Sequence, residues 1–347
     1  MATQARAIPT ERDAQQRDPF DLVARFAPLI ILIGLVVAMS FVSEGFRSPI
    51  NLFNVLRQIS FTGILAVGMT FVILTAGIDL SVGSMVAFCG VVAASVAKGS
   101  RSLIEGGVTD PGGVRVLLAA LAAIGIGLAI GLFQGTLIGK LGIPAFIVTL
   151  GGLGAWRGAT LLWTGGQPIS SFSDDFKKAG QGFVLGFGDF RGVPIPVVVF
   201  LLFVIAGHIV LKYTQYGRWI YALGGNPEAS RLSGLNTTLL TISVYVISGF
   251  CAGVTAFLLT SRLNSAEQVA GQNFELDAIA AVVIGGTSLF GGQGGVIGTC
   301  IGAILIGVLK NALVIMNVSP YYQPIVIGAI IVLSVYVDQV AKKRRRA

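Results

Sequence analysis

Charge is scarce in this chain. Only 12% of its 347 residues are Asp, Glu, Lys or Arg, about half the share usual in a soluble domain. With 54% hydrophobic residues, no single water-soluble core could hide the apolar side chains, whereas a bilayer would solvate them. Histidine occurs once: His208 lies in an apolar run and reads as a satisfied or interfacial side chain. No metal-ligand cluster and no nucleophile–base pair is evident. The three cysteines, Cys89, Cys251 and Cys300, all fall inside apolar runs, which marks them as small buried hydrophobes rather than a disulfide or metal site. The phosphate-binding pattern Gly-x-x-x-x-Gly-Lys-Ser/Thr is missing, because the only Gly-Lys pair, Gly139-Lys140, is followed by Leu141. The chain is therefore expected not to hydrolyse ATP, to be no enzyme, and to hold no cofactor. The net charge of +8 does not point to nucleic acid. The basic residues gather at the chain ends and in loops, which in a membrane protein is an orientation signal.

Long apolar runs and glycine are abundant instead. A spanning helix needs about 20 mostly apolar residues. Such runs cover 27–43, 59–77, 82–98, 115–138, 143–163, 194–212, 237–260, 276–291, 295–316 and 321–340. The fold expected is an all-α integral membrane protein with about ten transmembrane helices and both termini cytoplasmic. The third and eighth runs are short, so irregular or re-entrant ends are expected there. The basic tail AKKRRRA directly follows the last run and holds that end inside. Residues 1–26 read as a disordered cytoplasmic tail, 27–340 as the transmembrane domain and 341–347 as a basic tail. The first run is long for a signal peptide and is read as a retained helix.

Glycine occurs 47 times. Gly127, Gly131, Gly135 and Gly139 recur every fourth residue, as do Gly294, Gly298 and Gly302; Gly151, Gly154 and Gly158 share the fifth run. Steps of four stay on one helix face and let another helix approach closely. Tight packing and sliding during transport are both consistent with the pattern. A faint internal echo lays VILTAGIDLSVGSMVAFCG (72–90) on VIGGTSLFGGQGGVIGTCIG (283–302), each with a Gly-rich break and a cysteine.

The segment GIDLSVGS (77–84) places Asp79 between two uncharged runs. A carboxylate facing lipid is costly, so it faces protein or water. Gly77 and Gly83 allow a helix break, and Asp79, Ser81 and Ser84 can accept bonds from the N–H groups that open the next helix. Structural cap is the favoured role. Substrate contact and proton coupling are the alternatives.

AGIDLSVGS resembles the corresponding segment in permease subunits of bacterial sugar ABC importers of the ribose/xylose/arabinose type. The resemblance covers roughly 50–338 and includes IPAFIVTLGGLGAWRGATLLWTGGQPIS (143–170), YALGGNPEASRLSGLN (221–236) and AAVVIGGTSLFGGQGGVIGTCIGAILIGVLKNAL (280–313). Branched-chain amino-acid permeases share the architecture but differ at GIDLSVGS, which favours sugar. The resemblance implies a bacterial inner-membrane importer of a monosaccharide. It also implies three partners: an ABC ATPase subunit that binds ATP-Mg, a periplasmic sugar-binding protein, and a second permease copy, identical or closely related. Within the inside loop (213–236) it implies a short helix that docks on the ATPase. Asn226 as N-cap, Pro227 in the first turn, Glu228, Ala229, Ser230 and Arg231, and Gly234 at the end suit such a helix. Glu228-Ala229-Ser230-x-x-x-Gly234 is a looser form of the family's EAA-x-x-x-G pattern.

Polar groups inside the runs are candidates for a translocation path: Thr75, Trp156, Arg157, Thr287, Ser288, Lys310 and Asn311. Trp156 could stack on a sugar ring and Arg157 could bond its hydroxyls. Pairing of Arg157 with Asp79, and snorkelling of Arg157 or Lys310, are the alternatives. The rival class is an ion-coupled secondary transporter that uses Asp79, here read as a lone intramembrane acid.

Overall fold

A computed structural model describes residues 19–105, 112–186, 192–319, 321–330, 332, 333 and 336. In a bilayer each backbone N–H and C=O must find its partner within the chain, so the long apolar runs form helices. α1 (Pro19–Val42) leads through the short α2 (Glu44–Arg47) to α3 (Pro49–Leu74). α4 (Val82–Glu105), α5 (Gly112–Gly139) and α6 (Ala145–Thr164) follow. Next come β1 (Ile169–Ser170), α7 (Asp174–Gln181), β2 (Phe183–Val184), β3 (Val193–Pro194) and α8 (Ile195–Tyr213). α9 (Gln215–Gly225) and α10 (Pro227–Leu232) make an elbow before α11 (Thr237–Leu263). β4 (Ser265–Ala266), α12 (Phe274–Ile284) and α13 (Val296–Ile315) follow, and residues 322–330 are helical. Among the described residues the strands form two short antiparallel pairs, β1 with β4 and β2 with β3.

Among the described residues, seven helices are long and apolar enough to cross a membrane: α3, α4 as far as Gly99, α5 from Val114, α6, α8, α11 and α13. The apolar part of α1, Ala27–Val42, is shorter. The expected run 59–77 begins ten residues earlier, at Pro49, where Ser48 caps the helix by accepting from Asn51 N. Arg57, which precedes the expected run, is therefore buried inside α3, with its guanidinium over the Phe183 ring. The largest difference lies in the eighth run. Instead of 276–291, the helix is the 11-residue α12. That length rises about 16 Å, roughly half the hydrocarbon thickness. α1 begins within the expected tail; residues 1–18 and 341–347 lie outside those described, as does most of 331–340.

α3, α4 and α11 form the centre, with 83%, 72% and 67% of their most apolar windows buried against 17% for α6. The α5 glycine stripe explains how α11 comes so close. A Cβ on Gly127 would collide with Gly249 O, and one on Gly131 with Tyr245 O. On Gly135 and Gly139 it would lie 2.9 Å from Ile242 O and Thr238 O. The two helices run antiparallel with backbone on backbone, the close approach that drives association where lipid removes the hydrophobic incentive. Gly298 and Gly302 of α13 meet Gly285 and Ala281 in the same way. Gly151, Gly154 and Gly158 of α6 have no neighbour at Cβ range.

The internal echo is real at the level of hydrogen bonds. α3 ends with Ala76 N donating to Ile73 O and Gly77 N to Val72 O. α12 ends with Gly286 N donating to Val283 O and Thr287 N to Val282 O. Both are Schellman caps, closed by a left-handed residue at Ala76 (φ 59°) and Gly286 (φ 85°). The caps place Val72 opposite Val282, one residue from the register laid out from sequence. The connection back into the next helix is seven residues after α3 and eleven after α12.

Candidate coupling and translocation site

GIDLSVGS is the break between α3 and α4. Asp79 is 1% exposed. Its Oδ1 accepts from Ser81 N (3.0 Å) and Ser81 Oγ (2.7 Å), and its Oδ2 accepts from Ser248 Oγ of α11 (2.7 Å). Tyr245 OH donates to Ile78 O at 3.3 Å. α11 thus grips the break at two successive residues, and the carboxylate is met by donors on both oxygens. Two details differ from the sequence reading. Of the three proposed acceptors only Asp79 accepts. Ser81 donates to it, and Ser84 Oγ donates back to Ser81 O at 2.9 Å. The glycines also serve packing more than flexibility. The left-handed residue is Ala76, while Gly77 lies against Tyr245 OH and Gly83 against Gly271 O and Glu275.

The seven path candidates are engaged by different neighbours. Thr75 borders a cavity of about 230 Å³ together with Thr237, Thr238, Thr241 and Tyr245, and its own hydroxyl donates to Val72 O. Trp156 stacks on Phe88, with ring centroids 5.8 Å apart. Its buried Nε1 has no hydrogen-bond partner among the described residues. Arg157 neither pairs with Asp79 nor snorkels. Its guanidinium donates to Gln268 O and to Ala270 O (2.9 Å), pinning the segment that leads into α12. Thr287 and Ser288 brace the loop after α12: Thr287 Oγ1 accepts from Gly295 N, and Ser288 Oγ accepts from Phe290 N. Lys310 points inward to Asp277 Oδ2 (2.5 Å), and Asn311 exchanges amide bonds with Asn51 of α3 (3.1 and 2.8 Å).

Sequence reasoning missed Asp277. It lies within the expected eighth run and is 2% exposed, so Asp79 is not a lone buried acid. Its partner is 33 residues away, and no local spacing announces the pair. Glu275, Gln134, Tyr245 and Ser248 were missed as well, since each is tied to its neighbours only through tertiary packing. Cys89 and Cys251 are buried free thiols, and Cys300 is a half-buried one. His208 sits edge-on to Tyr213. No group of three metal-ligating side chains occurs among the described residues.

α10 forms where the sequence places it. Asn226 Oδ1 accepts from Ala229 N at 3.0 Å, and Pro227 opens the helix. Gly234 (φ 84°) closes it, with Gly234 N donating to Arg231 O and Leu235 N to Ser230 O. Residues 221–225 belong instead to α9. Ala229 and Leu232 are exposed while Ser230 is buried. Glu228 and Arg231 pair with each other at 2.8 Å. The Glu228 carboxylate holds the Arg231 pKa above its ordinary value.

Seven helices able to cross a membrane among the described residues, with a capped elbow between α8 and α11, define a polytopic membrane protein. The chain belongs to the family described as branched-chain amino acid transport system/permease component, whose model matches residues 51–335. It is 44% identical over 311 residues to the ribose import permease of Escherichia coli (strain K12), covering 89% of this chain and 92% of the relative. It is 39% identical over 327 residues to the ribose import permease of Bacillus subtilis (strain 168), covering 94% and 96%. It is 34% identical over 376 aligned positions to the xylose transport system permease of Escherichia coli (strain K12), covering 92% of each. No solved structure matches significantly. The chain is a multi-pass permease subunit of the bacterial inner membrane.

Proposed function

We propose that this chain imports a monosaccharide, ribose or a sugar like it, as the transmembrane subunit of an ATP-binding-cassette importer. The family description names branched-chain amino acids, but the relatives that match nine-tenths of the chain are named for ribose and xylose. AGIDLSVGS favours sugar as well. The observation that carries the coupling part of the reading is α10, a short, doubly capped helix whose Ala229 and Leu232 are exposed. A small-residue helix of this kind can lie deep in a groove of an ATPase subunit, which binds and hydrolyses ATP-Mg. The α10 end then faces the cytoplasm, as do both termini, with about ten membrane passes in all if α12 and its loop count as one. α7 and the strand pairs lie at the other end and meet a periplasmic sugar-binding protein. A second permease copy completes the pore, and transport alternates between two packings of the helices.

Co-expression of the tagged chain with its neighbouring genes tests this. A P-loop ATPase is expected to copurify in detergent, and Gly234→Trp, which forces a bulky side chain into a left-handed position, is expected to release it and abolish uptake of labelled ribose. A chain that purifies alone and moves solute under an ion gradient would overturn the reading in favour of coupling through Asp79.

A further inference from the structure

Three stretches of backbone meet at the α10 end of the bundle with no side chain between them. They are the C-terminal cap of α3 (Leu74–Ala76), the last turn of α9 (Gly224 and Gly225) and the loop after α12 (Gly291 and Gly292). Gly292 N donates to Leu74 O at 2.9 Å. A Cβ on Gly224 would collide with Leu74 O and lie 2.6 Å from Gly292 N. One on Gly291 would lie 2.7 Å from Gly224 O and 3.0 Å from both Ala76 N and Leu74 O. One on Gly292 would lie 2.9 Å from Gly225 N. Nearby, Tyr221 OH of α9 donates to Gly294 O at 2.9 Å. A Cβ on Gly225 would meet nothing within 4 Å.

We propose that Gly224 is a positioning residue for transport, the joint through which movement of α10 reaches the Schellman-capped ends of α3 and α12 together. The inference rests on α10 being the ATPase-docking helix. α9 and α10 share Asn226 as a stiff corner: its N–H donates to Ala222 O, its carbonyl accepts from Ser230 N, and its side chain accepts from Ala229 N. A displacement of α10 is therefore passed to α9. At the far side of the corner Gly224 touches both breaks through backbone atoms alone. No rotamer change can absorb the movement, because there is no rotamer in the path, and close-packed backbone transmits strain. The junction also joins the two halves of the internal echo, so both breaks respond to one input.

The test uses the complete complex in liposomes with binding protein and sugar, reading sugar imported per ATP hydrolysed. Gly224→Ala is expected to retain the ATPase subunit and its basal hydrolysis while lowering that ratio at least about fivefold, the size of a coupling energy between sites. Gly225→Ala is expected to match wild type in assembly, hydrolysis and ratio. Tyr221→Phe removes one hydroxyl with no added bulk and is expected to lower the ratio with assembly intact. A wild-type ratio in Gly224→Ala overturns the inference, as does an equal loss in Gly225→Ala. If Gly224→Ala fails to assemble, a wild-type ratio in Tyr221→Phe overturns it. If Gly234→Trp keeps the ATPase bound and uptake normal, the docking role of α10 fails instead, and this is read before the ratio is measured.

Discussion

At the residue scale, the buried acids set the terms. Asp79 accepts three hydrogen bonds and joins the break to α11. Bonds to a charged group contribute about 1.5–3 kcal/mol each, and a donor left unsatisfied costs a comparable amount. Asp79→Leu is expected to lower the melting temperature of the purified chain by several degrees, whereas Asp79→Asn keeps most of the capping geometry and the melting temperature falls less. Sugar uptake by the Asp79→Asn complex is expected to be indifferent to an imposed proton gradient; a gradient-driven wild type whose drive vanishes in this variant would contradict the structural role. Asp277 makes a second, sharper case. Among the described residues its side chain pairs with Lys310 alone, and its Oδ1 is already without a partner. Lys310→Met strands that carboxylate, a change that costs about 3–5 kcal/mol when a buried pair is broken from one side. Adding Asp277→Leu is expected to restore much of the loss, which thermal unfolding of the single and double variants would read directly.

At the element scale, the α5–α11 seam is where a methyl group matters most. Gly131 lies against Tyr245 O and the Val246 backbone, neither of which can rotate away. Gly131→Ala forces the helices apart and is expected to cost about 1–3 kcal/mol by overpacking. Gly151→Ala on α6 meets nothing within 4 Å and is expected to leave stability unchanged or slightly raised, since alanine favours helix. Comparable losses at both positions would show that the glycines act through helix propensity and not through the seam. On α10, Glu228 and Arg231 are each 66% exposed. Such a pair contributes little to stability, so the double change Glu228→Ala, Arg231→Ala is expected to leave the melting temperature alone and to act only on ATPase docking, as binding measurements would register.

At the scale of the whole molecule, the burial pattern is uneven. α3, α4 and α11 are enclosed, whereas α6 leaves most of its apolar surface uncovered. In a bilayer lipid solvates such a face, and a second copy can cover part of it. Native mass spectrometry of the detergent-extracted complex is expected to show two permease chains with two ATPase subunits; a single permease chain per complex would contradict the paired pore.

Much of this molecule could be read along the chain, because the relevant physics is local. Twenty apolar residues in a bilayer become a helix whatever their neighbours do, since the backbone has no other way to satisfy its polar groups. The corner at Asn226-Pro227 and the stop at Gly234 are equally local, as every capping bond spans at most five residues. The glycine step of four on α5 announced a close contact, though not its partner. What the sequence did not determine were the interactions whose partners are far apart in the chain. The residues that hold Asp79 from α11, the donors that Arg157 aims at the segment before α12, and the pairing of Asp277 with Lys310 were all set by how the helices pack. The end of α12 divides between the two. Gly286 supplies its left-handed cap locally, but the loop beyond turns away to bond Leu74 and meet Gly224, and only the tertiary structure could supply those backbone partners.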